Sequence, residues 1–341
     1  MSRTVPLLLS PLVAALALGC GALDPDAPEP WRFAIEETRG SVQWAYAKRF
    51  EELVEERSEG EIDVKVYPYG TLGTSDQITE LVHNGSIQFA MASPGHVGKL
   101  IPEVQVFLLH FVLSDDERVN NLALADPTLR GLLDDLYAEK GFKALAFYTE
   151  GWQAWTTNRP IEAPEDFRGF RMRVMTSPML MAAYAAYGAS ATPLPYAEVY
   201  SALQLSMIDG QDNPVFAIQE MSFYEVSNYL IFPRHSQFVT SAMTGHAFWD
   251  DLSPERQQMV TEIMAELQGY IYEQQVAFNE ERLELSPEQQ ARFRERSLPV
   301  RELYGRTGGP RAQEVLAALD AAVERAEAEV AARGEAGTPE E

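Results

Sequence analysis

The chain has 341 residues, is 46% hydrophobic and carries a formal net charge of −24 at pH 7. This length is sufficient for two lobes that each bury a hydrophobic core. The acidic balance argues against nucleic acid as a partner, which would need a basic face, and against electrostatic attachment to anionic lipid.

The N-terminal residues resemble a secretory signal that ends in a lipidation site. Arg3 is followed by an apolar run from Val5 to Leu18 that is too short for a membrane span. Ala17 to Cys20 resembles a lipobox, with the leucine one place closer to the cysteine than usual. We predict a signal peptide over residues 1–19 and a lipid anchor at Cys20. The alternative is an ordinary cleaved signal with an incidental cysteine.

Residues 20–30 are acidic and proline-rich, which is typical of a flexible tether. After them, segments with strand and helix periodicity alternate. This order predicts an α/β fold with a largely parallel sheet and with ligands at the carboxyl ends of its strands. The predicted elements are strand Trp31 to Ile35, a helix capped by Ser41, strand Ile62 to Tyr67, helix Asp76 to His83, strand Ile87 to Ala92 and strand Phe142 to Tyr148.

The segment from Phe167 to Asn213 carries the functional prediction. A short strand over Phe170 to Met175 would place Arg171 and Arg173 on one face. An amphipathic helix begins near Ser177, and Gly188 fits a left-handed cap at its end.

A second helix, Tyr196 to Leu205, leads into a polar turn that contains Asn213. The guanidinium of Arg173 presents a planar fork of donors that matches a carboxylate, and Asn213 adds a donor and an acceptor. From the residues alone, the alternative is that Arg173 pairs with a structural acid such as Glu198 or Asp209.

Three motifs in this segment resemble the DctP family, the solute-binding proteins of tripartite ATP-independent periplasmic (TRAP) transporters. They are RGFRMRV at 168–174, PYAEVYSALQ at 195–204 and DGQDNP at 209–214. The last two motifs, in this order and at this spacing, are specific to the family. Weaker similarity extends from Trp31 to about Arg301.

The resemblance implies a two-lobed α/β fold of the periplasmic-binding-protein type (class II). Each lobe would be discontinuous, with residues 31–150 and 240–278 in the first and residues 151–239 and 279–335 in the second. A long helix that starts after Ser253 and continues toward Leu285 would run along both lobes. Residues 336–341 would form a disordered tail.

The resemblance also implies a periplasmic receptor without enzymatic activity or cofactor. It would capture a small organic carboxylate by closing a hinge between its lobes. It would then deliver the ligand to a separate permease with a small and a large membrane subunit, and its own contact with the membrane would be the lipid anchor.

The expected ligand contacts follow from the same resemblance. Arg173, Arg171 and Asn213 would bind the carboxylate. Glu36, after the first strand, would face the ligand, and an acid there suits a zwitterion such as an amino acid or a cyclic amidine like ectoine. On chemistry alone, the alternative is that Glu36 is a solvated loop acid, as most loop acids are. Phe216 would form an apolar wall.

The predicted loop after Tyr148 contains the remaining expected contacts. Gln153 stands where relatives often have a second arginine, which makes a dicarboxylate or a sialic-acid-like ligand less suitable. Trp155, like Trp152, either stacks on a ligand ring or belongs to a lobe core.

The sequence gives less support to other classes of protein and site. An exported hydrolase lacks support, because the sequence has no G-x-S-x-G elbow and no catalytic cysteine. A sensory receptor that signals to a partner would use the same pocket. We predict no metal site, since the five histidines show no paired ligand spacing, and His110 fits a core position.

Overall fold

The computed structural model describes residues 27–278 and 286–335. The predicted signal peptide, Cys20, the tail at 336–341 and the predicted end of the long helix near Leu285 lie outside these residues. Within them, no helix combines the length and the apolar character needed to cross a membrane.

Nine strands alternate with twelve α-helices in the described part of the chain. The strands are β1 Glu29–Ala34, β2 Ile62–Tyr67, β3 Phe89–Ala92, β4 Phe142–Thr157, β5 Arg171–Val174, β6 Ser190–Pro193, β7 Gly210–Pro214, β8 Tyr229–Ile231 and β9 Gln237–Gly245. The helices are α1 Val42–Arg57, α2 Ser75–His83, α3 Pro94–Val97, α4 Glu117–Leu124, α5 Pro127–Glu139, α6 Pro178–Tyr187, α7 Val199–Gln204, α8 Val215–Glu220, α9 His246–Asp251, α10 Pro254–Phe278, α11 Pro287–Thr307 and α12 Ala312–Glu335.

Local capping signals identified helix ends correctly. Ser41 caps α1 by accepting a hydrogen bond from the Trp44 amide at 3.0 Å. Ser177 caps α6, and Gly188 ends that helix with φ 99°, a left-handed conformation that glycine adopts without strain.

The strands form one mixed sheet in the order β2-β1-β3-β9-β4-β7-β5-β6, with β8 also paired to β4. The outer groups are parallel, as predicted, because β1 pairs with β2 and β3, and β5 pairs with β6 and β7. In the middle, β9 runs antiparallel to both β3 and β4. The expected α/β, two-lobed fold is confirmed, whereas the sheet is less parallel than we expected.

Strand β4 joins the two halves of the sheet. It is 16 residues long and pairs with β9 in its first part and with β7 and β8 in its second. We predicted that this strand ends at Tyr148 and is followed by a loop, which is wrong. The chain bends at Gly151, with φ 112°, where the pairing with β9 is irregular, so the strand continues on a second set of partners.

The predicted polar turn before Pro214 is also a strand. Asn213 lies opposite Ala154 in the antiparallel pair of β7 and β4. Its polar neighbours are buried yet paired, since Gln211 Nε2 donates to Thr156 Oγ1 at 3.0 Å. The backbone partners that make this segment a strand come from β4, more than fifty residues away in sequence, so local pattern could not reveal them.

The C-terminal helices pack on both halves of the molecule. Helix α10 packs mainly on α1 and β4, and α11 packs mainly on α6. Helix α12 packs mainly on α4 and α5, which precede β4 and lie in the segment predicted for the first lobe. The division of residues 279–335 between the lobes therefore stays a prediction.

Candidate ligand-binding site

A pocket lies where the carboxyl ends of β1 and β3 face those of β5 and β7. It comprises about 420 Å³ of space free of protein atoms, part of which is open to solvent. This is the position that the α/β rule predicts for a ligand. Its lining comprises Glu36, Glu37, Gln43, Ser75, Ser93, His96, Arg173, Met175, Tyr196, Asn213, Pro214, Ala217 and Phe238.

Arg173 provides the guanidinium of the pocket and is 3% exposed. Its Nε and Nη2 atoms donate to the Leu194 carbonyl at 3.0 and 2.9 Å, which fixes the plane of the fork. Burial lowers the pKa of Arg173 to about 10, so the side chain stays charged at neutral pH. In the described part of the chain no carboxylate forms an ion pair with it, which leaves its charge available to a ligand.

Arg171 has the role of the structural partner instead. Its Nη2 and Nε atoms donate to the two carboxylate oxygens of Asp209 at 2.6 and 2.9 Å. The side chain is exposed and does not belong to the pocket lining. This corrects our assignment of Arg171 as a ligand contact, because the fork that would hold a carboxylate already holds Asp209.

Asn213 lies at the end of β7 and lines the pocket beside Pro214. Its Nδ2 atom donates to Gln211 Oε1, and both residues are buried. The hydrogen bond holds the carboxamide on the same side of the pocket as Arg173.

Glu36 lies on the other side, directly after β1, and is buried. Its Oε2 atom accepts a hydrogen bond from the Ser93 amide at 2.8 Å. Burial raises the pKa of Glu36, and the neighbouring His96 acts in the opposite direction. The solvated-loop interpretation of this acid therefore does not hold.

Glu37 is a second acid in the lining that our sequence interpretation missed. The Gln43 amide donates to its Oε2 atom at 3.3 Å. Burial, followed by the nearby Glu150, raises the pKa of Glu37 well above its usual value. Burial also raises the pKa values of Glu150 and Glu220 to about 7. The pocket thus has an acidic side opposite the Arg173 side.

Trp155 does not reach the pocket. It is fully buried, and its Nε1 atom donates to the Tyr184 hydroxyl at 2.8 Å. Its ring packs against Phe167 and Phe293 at 5.0 and 5.2 Å between centroids. Of the two roles considered for this tryptophan, the structure therefore places it in the core. Trp152 stacks with the Arg234 guanidinium at 5.6 Å.

Gln153 and Phe216 also lie outside the lining. The Gln153 side chain is buried within β4, whose backbone amide at this residue donates to Ser236 at 2.9 Å. Phe216 packs in the hydrophobic core beside β1 and α1, and the next residue, Ala217, provides the pocket wall. Both were assigned to the ligand from their distance in sequence to a motif, which does not determine the direction of a side chain.

Other lining residues came only from the folded chain. Tyr196 belongs to the PYAEVYSALQ motif, which we used for recognition and not for contacts. Its ring makes an edge contact with that of Tyr69, with 5.8 Å between centroids. Phe238, on β9, carried no signal that distinguishes it from a core residue.

Beside the pocket, the fold brings His110, Asp212 and His235 together, with potential ligand atoms within 4.8 Å of one another. Residue spacing could not predict this cluster. Tyr184 donates to Asp212 Oδ2 at 2.6 Å, His235 Nε2 lies 3.1 Å from the same oxygen, and His110 Nδ1 lies 2.7 Å from the Tyr187 hydroxyl. This network connects β7 and α6 next to Asn213.

Comparison with known proteins identifies the family of this chain. The model of the family described as bacterial extracellular solute-binding protein, family 7 (DctP), matches residues 33–306. The ectoine-binding periplasmic protein TeaA of Halomonas elongata is 37% identical over 328 residues, which cover 92% of this chain and 95% of TeaA. The ectoine/5-hydroxyectoine-binding periplasmic protein UehA of Ruegeria pomeroyi is 38% identical over 285 residues, which cover 82% and 83%.

Solved structures agree as well. The ectoine-binding protein of the TeaABC TRAP transporter of Halomonas elongata superposes with a TM-score of 0.84 at 36% identity, over 87% of this chain and 100% of that one. An apo open structure of a TRAP periplasmic solute-binding protein from Marinobacter aquaeolei VT8 superposes with a TM-score of 0.81 at 38% identity. The match covers 85% of this chain and 99% of that one. The chain therefore belongs to the DctP family of bacterial extracellular solute-binding proteins, as its motifs led us to expect.

Proposed function

We propose that this protein is the receptor of a TRAP transporter and that it captures ectoine or a closely similar cyclic amidine with one carboxylate. The observation that carries the proposal is the division of charge in one pocket. Arg173 lies on one side without an acidic partner in the described residues, and Glu36 and Glu37 lie on the other. A small zwitterion satisfies both sides at once.

The carboxylate end of such a ligand would bind the Arg173 fork. A hydrogen bond to a charged group contributes about 1.5–3 kcal/mol net, and a bidentate pair adds geometric specificity. Among the described residues, Arg173 is the one guanidinium in the lining. This favours a monocarboxylate over a dicarboxylate.

The cationic end would lie against Glu36 and Glu37. An amidinium is planar and donates from two nitrogens, so it matches a carboxylate as a guanidinium does. The names of TeaA and UehA support the same ligand class, since both are ectoine-binding proteins and both cover most of this chain.

Capture would proceed by closure of the two sides onto the ligand. The lining comes from both halves of the sheet, and β4 passes continuously between them. A ligand that contacts both halves stabilises the closed arrangement by its differential affinity for that state. The closed receptor would then deliver its ligand to the membrane subunits.

Calorimetric titration with ectoine tests the proposal against three comparison ligands. These are succinate, a neutral cyclic amide and a cyclic amidine without a carboxylate. We expect binding of ectoine with at least about tenfold preference over each, which corresponds to about 1.4 kcal/mol. Tight binding of succinate without binding of ectoine would overturn the zwitterion assignment.

The N-terminal motif supports a location outside the cytoplasmic membrane, with a lipid anchor at Cys20. We expect the wild-type chain to fractionate with membranes and the Cys20→Ser variant to appear in the soluble periplasmic fraction. Fractionation of both forms with the soluble material would favour the incidental cysteine instead.

A further inference from the structure

Behind the acidic side of the pocket lies a buried carboxyl that does not line it. Glu150 is 0% exposed, and Gln43 connects it to the lining. Gln43 Nε2 donates to Glu150 Oε1 at 3.0 Å, and the backbone amide of Gln43 donates to Glu37 Oε2 at 3.3 Å. The Gln43 Oε1 atom accepts from the Glu36 amide at 2.8 Å. One glutamine thus binds the carboxyls of Glu37 and Glu150 and the backbone of Glu36.

The carboxyls of Glu37 and Glu150 both bind Gln43, and both residues are buried. Each carboxyl also shifts the pKa of the other. Two carboxylates have only acceptors, so they can bond to each other only when a proton lies between them. Burial makes the doubly charged pair still less favourable, which favours a shared proton in the free pocket.

The surroundings of the pair reinforce this state. Glu150 acts on the pKa of Glu220, and the pKa of Tyr196 responds to Glu220, Glu37 and Glu150 together. The titratable and charged groups that face the pair are Glu36, Glu220, Tyr46, Tyr148, Tyr196 and, across the pocket, Arg173. Two of these neighbours, Glu36 and Glu220, are carboxyls, and Arg173 is the one cation among them. Their combined effect favours retention of the proton until a cationic ligand binds.

We propose that Glu150 is a specificity-determining residue, which shares one proton with Glu37 that the cation of the ligand displaces. The inference rests on the proposed function and deepens it. On binding, the amidinium takes the place of the proton beside Glu37, and the proton passes to the buffer. A neutral ligand cannot displace it and would meet a protonated acid in place of a counter-ion.

The coupling between proton release and ligand binding predicts the direction in which affinity changes with pH. Below the apparent pKa of the pair, each pH unit of acidification weakens the binding of a cationic ligand by about tenfold, because one proton must be released. Above that value the affinity levels off. Arg173 stays charged throughout this range, so the carboxylate end of the ligand contributes no such dependence.

Calorimetry at about pH 6 in two buffers of different ionisation enthalpy tests this proposal, since it measures protons released per bound ectoine. We expect close to one proton for the wild type and close to none for Glu150→Gln, whose affinity should also lose its pH dependence. Glu150→Asp should restore the proton release and the pH dependence of the affinity. A residue with a merely structural role would not give this rescue. The exposed acid Glu139 on α5 supplies the matched control, and Glu139→Gln should behave as the wild type.

Release of no proton by the wild type, or equal release by Glu150→Gln, would overturn the proposal. If Glu150→Gln fails to fold, the wild-type measurement in the two buffers decides. If the wild type binds no ectoine, the proposed function fails separately. The shared proton is then tested by NMR titration of the side-chain carboxyl resonances in the free wild-type protein. A titration of these carboxyls near neutral pH supports the shared proton, and the absence of such a titration contradicts it.

Discussion

Arg171 and Arg173 are two residues apart on one strand, yet they have different roles. The difference lies in the acid that each can reach. Arg171 is held by Asp209 at the exposed edge, while Arg173 is buried against the Leu194 carbonyl, which carries no charge. A buried guanidinium without a carboxylate partner is costly to maintain, and such a cost is typical of a binding site.

Replacement of the buried arginine should remove ligand binding. We expect Arg173→Ala to weaken ectoine affinity by about 100-fold or more, because two charge-assisted hydrogen bonds are lost. Calorimetric titration measures the effect. The matched control is Arg171→Ala, which should keep the affinity of the wild type. Equal losses in the two variants would contradict the assignment of the carboxylate to Arg173.

The stability of the free protein should depend on pH through Glu150. Burial raises the pKa of this carboxyl to about 7, so the folded state holds its proton more tightly than the unfolded state does. This contribution is complete below the unfolded pKa and is lost as the pH rises through the folded pKa. We expect the free energy of unfolding to fall between about pH 5 and 8, by up to about 1.4 kcal/mol per pH unit for one proton.

Urea unfolding of the wild type and of Glu150→Gln, at several pH values and without ligand, measures this decline. The amide of the variant does not titrate. The free energy of unfolding of the wild type should therefore fall relative to that of Glu150→Gln as the pH rises. A difference that stays constant across the range would show that Glu150 does not carry the proton.

At the scale of elements, the site depends on β4 and on its bend. The strand crosses from one group of partners to the other at Gly151, whose φ of 112° is unfavourable for any residue with a side chain. On one side of this bend lies Glu150, behind the acidic part of the pocket. On the other, β7 pairs with β4 and carries Asn213 to the pocket. The bend therefore positions both ends of the ligand site.

A side chain at this bend should destabilise the protein. We expect Gly151→Ala to lower the free energy of unfolding by about 1–3 kcal/mol, because the backbone is held in a strained region. The matched control is Gly131→Ala in the middle of α5, where an added Cβ meets no atom within 4 Å. That substitution should stabilise the helix by about 0.5–1 kcal/mol. Equal effects of the two would contradict the role of the bend.

At the scale of the whole molecule, contacts across the pocket accompany the charged groups. Ser93 Oγ lies 4.0 Å from Met175 Sδ, and Gln105 Oε1 accepts from Ser177 Oγ at 2.9 Å. These contacts join the segment around β3 to the start of α6. A ligand that contacts both sides adds to these contacts and shifts the equilibrium toward the closed state.

Closure should require both charges of the ligand. In small-angle scattering we expect ectoine to reduce the radius of gyration of the wild type. Saturating acetate, which offers only the carboxylate, should leave the radius unchanged. Arg173→Ala should not contract with ectoine either. Contraction with acetate alone would show that the acidic side is not needed for closure.

Local signals in the sequence were enough for much of this description. Capping residues located the starts of α1 and α6, and the three motifs identified the family. Arg173, Asn213 and Glu36, named from the sequence, line one pocket, and their role as ligand contacts stays a prediction. These features depend on neighbours within a few residues in sequence.

The tertiary structure alone decided which side chain has which partner. Gln43 and Glu150 are 107 positions apart, and Glu150 approaches Glu37 only when β4 is folded against α1 and the segment that follows β1. Trp155 likewise lies in the core because of distant partners, since β4 continues past Gly151 by pairing with β7 and β8. Side-chain direction and charge pairing arise from contacts between distant segments, and local periodicity carries no information about them.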